Sequence, residues 1–188
     1  MPPAFDKELE EKILRAAQRL LRAQGASGLT LRAIAAEART TTPTVYKRFR
    51  SKEGLNRALA DRIREDLNQV LFASKTLEEA CRKYLRYAED HPNEYKLMWT
   101  LWSEIFDRRR ERRPAFVWAM SKFAERFGGE AEEYDQAVYA LFLLCHGAAS
   151  LLTVPGDAAF HEHMRDYCLA ACDAILRQGT LMNSPAHS

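Results

Sequence analysis

The chain has no stretch in which Val, Ile and Thr alternate with polar residues, so no sheet is expected. It has no Gly-x-Ser-x-Gly elbow, no phosphate-cradling glycine loop and no metal-ligand spacing, which leaves enzymes built on those motifs without support. Met1-Pro2-Pro3-Ala4-Phe5-Asp6 has neither a basic start nor an apolar segment behind it, so export is not expected. The longest apolar run, Ala137 to Leu152, contains His146 and Ser150 and is shorter than a bilayer span requires. The expectation is a cytoplasmic protein without membrane contact. Cysteine is scarce: Cys81, Cys145, Cys168 and Cys172, expected to be reduced thiols. Cys168 and Cys172 are four apart and share a helical face. They read as small, partly buried core residues; the alternative is a redox switch or soft-metal site, which no Cys-x-x-Cys supports. No metal and no cofactor is expected.

Net charge is also small, +2 over 188 residues, but it is unevenly placed. Residues 1–70 carry 14 Lys and Arg against 9 Asp and Glu, whereas the remainder carries 14 against 17. Excess positive charge in the first part points to a polyanion as its partner. Apolar residues at helical spacing run through the whole length. Phe5, Leu9, Ile13, Ala16, Ala17, Leu20 and Leu21 define a first helix, about 7–23. Leu55, Leu59, Ile63, Leu67 and Leu71 define a long fourth helix, ending near Phe72. Further helices are expected at about 76–90, 94–106, 114–127, 133–153 and 159–177, separated by His91-Pro92-Asn93, Gly128-Gly129 and Pro155-Gly156. The one at 133–153 is apolar nearly all round and is expected to be buried on several sides.

The most informative segment lies between the first and fourth helices. Leu29 to Ala38 reads as a short helix that Thr30 can cap, and Thr42 to Phe49 as a second one that Thr41 can cap, with Pro43 tolerated in its first turn. Ser51 caps the fourth helix. Two short helices joined by a tight turn form a helix-turn-helix, whose second helix can enter the DNA major groove. The pattern Leu31, Ile34, Ala35, Ala38, Thr44, Val45, Tyr46, Phe49, Ser51-Lys52-Glu53 and Leu55 resembles the TetR/AcrR family of bacterial transcriptional regulators. His91-Pro92-Asn93-Glu94-Tyr95 and His146-Gly147 resemble one type of that family's regulatory domain. The chain departs from the pattern at the turn, where Arg39 replaces Gly in a position that often takes a left-handed backbone, and at Arg48, which replaces His.

The resemblance implies an all-α fold of about nine helices: an N-terminal three-helix helix-turn-helix DNA-binding domain (1–52), a C-terminal helical ligand-binding and dimerisation domain (53–179) and a flexible tail (180–188). Thr42, Pro43, Thr44, Lys47 and Arg39 are candidates for reading bases, and Thr can touch a thymine methyl. Thr30, Thr41, Arg48 and Lys52 are candidates for phosphate, Lys52 with the amino end of the fourth helix behind it. The resemblance makes Tyr46 a phosphate contact through its hydroxyl. Arg57, Arg62 and Arg64 read as a solvated helix face.

One helix-turn-helix covers little DNA, so an inverted-repeat site on double-stranded DNA requires a homodimer. The last two long helices, with Gly147, Ala148, Ala149, Ala170, Ala171 and Ala174, are the expected dimer surface, and family members pair this way. Aromatic residues crowd the middle helices. The family encloses an effector pocket there, and Trp99, Trp102, Phe116, Met120, Tyr139, Phe142 and His146 are the candidate lining of a site for a small, largely apolar ligand. The same residues would also serve a plain core. The run Arg108 to Arg113 reads as a solvated loop, with a second nucleic-acid patch as the alternative. The expected function is thus a ligand-released homodimeric repressor; a partner-controlled regulator without an effector, or an enzyme using the aromatic pocket, is the alternative.

Overall fold

The computed structural model describes residues 4–101 and 114–179. Trp102, the arginine run 108–113 and the tail 180–188, all singled out above, lie outside the described residues, as does the end of the helix expected at 94–106. Among the described residues there are nine α-helices and no strand. They are α1 (Ala4–Gln24), α2 (Leu31–Glu37), α3 (Thr42–Phe49), α4 (Lys52–Phe72), α5 (Leu77–Asp90), α6 (Pro92–Thr100), α7 (Pro114–Phe127), α8 (Asp135–Leu152) and α9 (Ala158–Gln178). Short 3-10 turns precede α2 (Gly25–Gly28) and α8 (Ala131–Tyr134).

Two compact units result. Among the described residues the first comprises 4–66 and 91–101, and the second 67–90 and 114–179. The two compact units meet inside α4, and α6 belongs to the first. The physical reason is that Leu55, Leu59 and Ile63 of α4 are fully buried, and that α6 packs on α1. Glu94 of α6 is completely buried and accepts from Arg22 Nε at 2.8 Å, while Asn93 Nδ2 reaches the Arg22 carbonyl at 3.5 Å. The core of the first unit is Ile13, Leu21, Leu29, Ile34, Val45, Leu55, Leu59, Ile63, Tyr95 and Met98. Arg62 is not on a solvated face. It pairs with Glu11 and donates to Gln18 Oε1 at 2.7 Å, and Gln18 donates on to Asp66 at 2.8 Å, so a polar chain ties α1 to α4.

In the second unit α8 packs against α5, α7 and α9. Ala131–Leu152, which extends the apolar run by a polar turn, is long and apolar enough to cross a membrane by length and composition alone. Here Ala137, Val138, Leu141, Cys145, Ala148, Ala149 and Leu152 are its inward face. Its other face is bare: Tyr139 is 41%, Leu143 64% and Leu151 45% exposed. The expectation that α8 is buried on several sides is thus corrected: the described residues cover one face only.

Candidate DNA-reading surface and effector cavity

The helix-turn-helix is held by caps at each junction. Thr30 Oγ1 accepts from the Ala33 amide at 3.1 Å and starts α2. Thr41 Oγ1 accepts from the Thr44 amide at 3.3 Å and shares a 2.8 Å hydrogen bond with the Thr44 hydroxyl, starting α3. Ser51 Oγ accepts from the Gly54 amide at 3.0 Å and starts α4. Each bond satisfies an amide that the first helical turn leaves without a backbone partner. Gly54 has a steric role too. A Cβ there would lie 2.2 Å from the Phe49 carbonyl oxygen, so only glycine lets α4 approach the end of α3 this closely.

Val45 and Phe49 of α3 point into the core, which turns the rest of the helix outward. Thr42, Pro43, Tyr46 and Lys47 are exposed, Tyr46 to 59%, and Thr44 is half-buried. Thr30, Arg39, Thr41 and Lys52 are exposed as well. Arg48 differs from the other candidates: it is an ion-pair partner of Glu10 on α1, with its side chain 22% exposed. Its charge is already neutralised, so it anchors α3 to α1. Arg39 has φ +50° and Arg50, at the end of α3, φ +66°. The left-handed turn expected at Arg39 is present; the one at Arg50 had no sequence signal. The Thr40 amide donates to the Ala35 carbonyl at 2.9 Å and the Arg39 amide to Ala36 at 3.0 Å, closing α2 in the usual left-handed manner.

In the second unit an apolar cavity of about 100 Å³ is lined from α4, α5, α7 and α8, including Leu71, Cys81, Tyr84, Phe116, Trp118, Val138, Phe142 and Cys145. Of the residues expected to line a pocket, Phe116 and Phe142 do so, their rings 5.2 Å apart. Tyr139 packs edge-on against Phe116 at 4.9 Å, and His146 stacks on Phe142 at 5.7 Å, both behind the lining. Met120 is buried but does not line the cavity. Trp99 belongs to the first unit, where its ring meets Tyr95 at 5.9 Å. Trp102 is outside the described residues. Leu71, Cys81 and Tyr84 were missed because they lie on helices whose apolar stripes look like any other core. Burial lowers the His146 pKa from its ordinary 6.5.

All four cysteines meet beneath this cavity. Cys145 Sγ and Cys172 Sγ are 3.7 Å apart, and Cys168 Sγ is 4.0 Å from Cys172 Sγ. The sulfurs of Cys81, Cys145 and Cys172 all lie within 4.8 Å of one another, and all four residues are buried free thiols. The reading of Cys168 and Cys172 as core residues holds for burial, but they belong to a larger cluster across α5, α8 and α9. Hydrogen bonds from Cys145 and Cys172 hold the Cys81 thiol well below its ordinary pKa, while Cys145 is pushed up by those to Cys168, Cys172 and Cys81 and by burial.

Residues 13–59 match the family model described as bacterial regulatory proteins, tetR family, and residues 77–171 the model described as tetracyclin repressor-like, C-terminal domain. No curated protein matches the chain. Among solved structures, a TetR regulator from Streptomyces coelicolor, SCO7222, is similar at a TM-score of 0.65 and 19% identity, covering 90% of this chain and 96% of that one. A TetR variant from Acinetobacter baumannii AYE in complex with minocycline gives 0.64 and 18%, covering 90% and 97%. The multidrug binding protein EbrR complexed with proflavin gives 0.56 and 17%, covering 89% and 99%. These likenesses agree with the all-α architecture, the capped α2–turn–α3 and the separate helical unit. The chain belongs to the TetR family and is a DNA-binding transcriptional regulator.

Proposed function

We propose that the chain is a homodimeric repressor that binds an inverted-repeat operator and is released from it by a small, largely apolar ligand. The carrying observation is the outward row of α3: Thr42, Pro43, Tyr46 and Lys47 are exposed while Val45 and Phe49 are buried and Arg48 is held by Glu10. Thr42, Pro43, Thr44, Lys47 and Arg39 read bases; Thr30, Thr41, Tyr46 and Lys52 hold phosphates, Lys52 at the amino end of α4. Arg48 has no such part, because Glu10 holds it.

The bare face of the second unit supports pairing. Tyr139, Leu143, Gly147 and Ser150 on α8, and Phe160, His163, Tyr167, Ala170 and Ala174 on α9, are all exposed at helical spacing. A Cβ at Gly147 would meet nothing within 4 Å, so a partner helix can approach closely there. Ala148 and Ala149 face inward instead. Two copies of α8 and α9 make a four-helix contact about a two-fold axis.

The cavity lined by Phe116 and Phe142 is the effector's place, and the minocycline and proflavin complexes of the similar structures favour a small-molecule effector. The ligand weakens DNA binding by its difference in affinity between the DNA-competent and released states. Selection from a random DNA pool by the purified full chain tests the reading. An enriched inverted repeat is expected; binding that is weak, salt-sensitive and indifferent to sequence would overturn it. Tyr46→Phe with Lys52→Ala should weaken binding on all sequences alike and leave the dimer folded, and unchanged affinity would remove those residues from the interface.

A further inference from the structure

We propose that the four cysteines form a binding site for a soft, thiophilic metal ion of the Cu(I), Zn(II) or Cd(II) kind. The inference goes beyond the apolar effector and does not rest on it. The chain has four cysteines in all, and α5, α8 and α9 bring Cys81, Cys145 and Cys172 within 4.8 Å of one another, with Cys168 beside Cys172 at 4.0 Å. Cys168 and Cys172 present adjacent sulfurs from one face of α9, and Cys81 and Cys145 complete the group from α5 and α8.

The spacing suits coordination. A metal–sulfur bond of about 2.3 Å separates neighbouring sulfurs by about 3.8 Å in a tetrahedral site and about 4.0 Å in a trigonal one. The Cys145–Cys172 and Cys168–Cys172 separations, 3.7 and 4.0 Å, already fall there. Cys81, within 4.8 Å of Cys145 and Cys172, needs a shift of at most about 1 Å to join. The ligand group contains sulfur and no carboxylate or imidazole. An all-thiolate set selects soft ions and offers Mg(II) or Ca(II) nothing they prefer.

The apolar cavity of about 100 Å³ lies directly against the cluster. Cys81 and Cys145 are part of its wall, so the cavity is also the route to the sulfurs. A core that needed only apolar volume would be filled as well by Ala and Leu. Each metal–sulfur bond forms as the S–H proton leaves to solvent, so no oxidant or reductant is involved and affinity rises with pH.

The test is titration of the full-length, fully reduced chain with Cd(II) under anaerobic conditions, read by the sulfur-to-metal charge-transfer absorption. One ion per chain is expected, with no band from Mg(II), and Cys172→Ser should weaken binding about tenfold or more. If Cys172→Ser loses its helical circular dichroism, Cys81→Ala at the cavity wall takes its place with the same expectation. Independently of any substitution, Cd(II) should slow alkylation of Cys81 and Cys145 in the native chain. No charge-transfer band with four titratable thiols, an undiminished band in a folded cysteine variant, or unaltered alkylation would each overturn the proposal.

Discussion

Arg39 and Arg50 stand at either side of α3 with φ +50° and +66°, where a side chain costs roughly 1 kcal/mol relative to glycine. Arg39→Gly should therefore leave the melting temperature unchanged or raise it by up to about 3 °C. It should also weaken DNA binding more at low salt than at high, since it removes a positive charge beside the recognition helix. A fall in melting temperature would show that the arginine side chain supports the fold itself. Gly54→Ala should have the opposite character. Its Cβ would overlap the Phe49 carbonyl, so a loss of about 1–3 kcal/mol or more is expected in denaturant melts, with no change in net charge. The substitution at Arg39 was legible from sequence because a family pattern names the residue it replaces. Arg50 and Arg48 were not legible: a positive φ at a helix end and a cross-helix pair with Glu10 depend on where α1 lies.

At the scale of elements, the buried Glu94 fixes α6 to α1 through Arg22. Removing Arg22 strands a buried carboxylate, whereas replacing Glu94 by Gln removes the charge itself. Arg22→Ala should lower the urea midpoint more than Glu94→Gln; the reverse order would show that the pair is already solvated. Helix positions were largely readable, because α1, α4, α5 and α9 carry apolar residues at three and four, and α1, α5 and α9 end at Gly or Pro signals. The start of α8 was read two residues early, since the 3-10 turn Ala131–Tyr134 shares its composition. The membership of α6 in the first unit was hidden, since Asn93, Glu94, Tyr95 and Met98 carry it among the described residues and none has a distinctive spacing.

For the whole molecule, the bare faces of α8 and α9 predict that Leu143→Glu with Tyr167→Glu yields a monomer in sedimentation and abolishes tight operator binding while helicity stays. A dimer that survives both changes would place the interface elsewhere. Stability should fall with acid in two windows. Burial depresses His146 in the folded state, so the folded chain binds fewer protons there than the unfolded one, and stability falls as pH drops below about 6.5. Glu11, bonded to Arg15 and Arg62, and Glu78, bonded to Arg126 against the opposing effect of burial, are lowered from 4.5; their contribution is present above that value and lost below it. His146→Gln should remove the first window only, as read from melting temperature against pH. The cysteine cluster was half legible: Cys168 and Cys172 share a face by counting, but nothing in spacing brings Cys81 and Cys145 to them. The bare row on α3 has a last consequence. Thr42, Pro43, Tyr46 and Lys47 contribute little to the core, and the helix is secured from behind by Val45, Phe49 and the Thr41 cap. On the proposed assignment, substitutions at Thr42, Pro43 and Lys47 change which operator is bound without first threatening the fold, so binding preference can drift through intermediates that all remain folded, and a duplicated copy could acquire a new target in single steps.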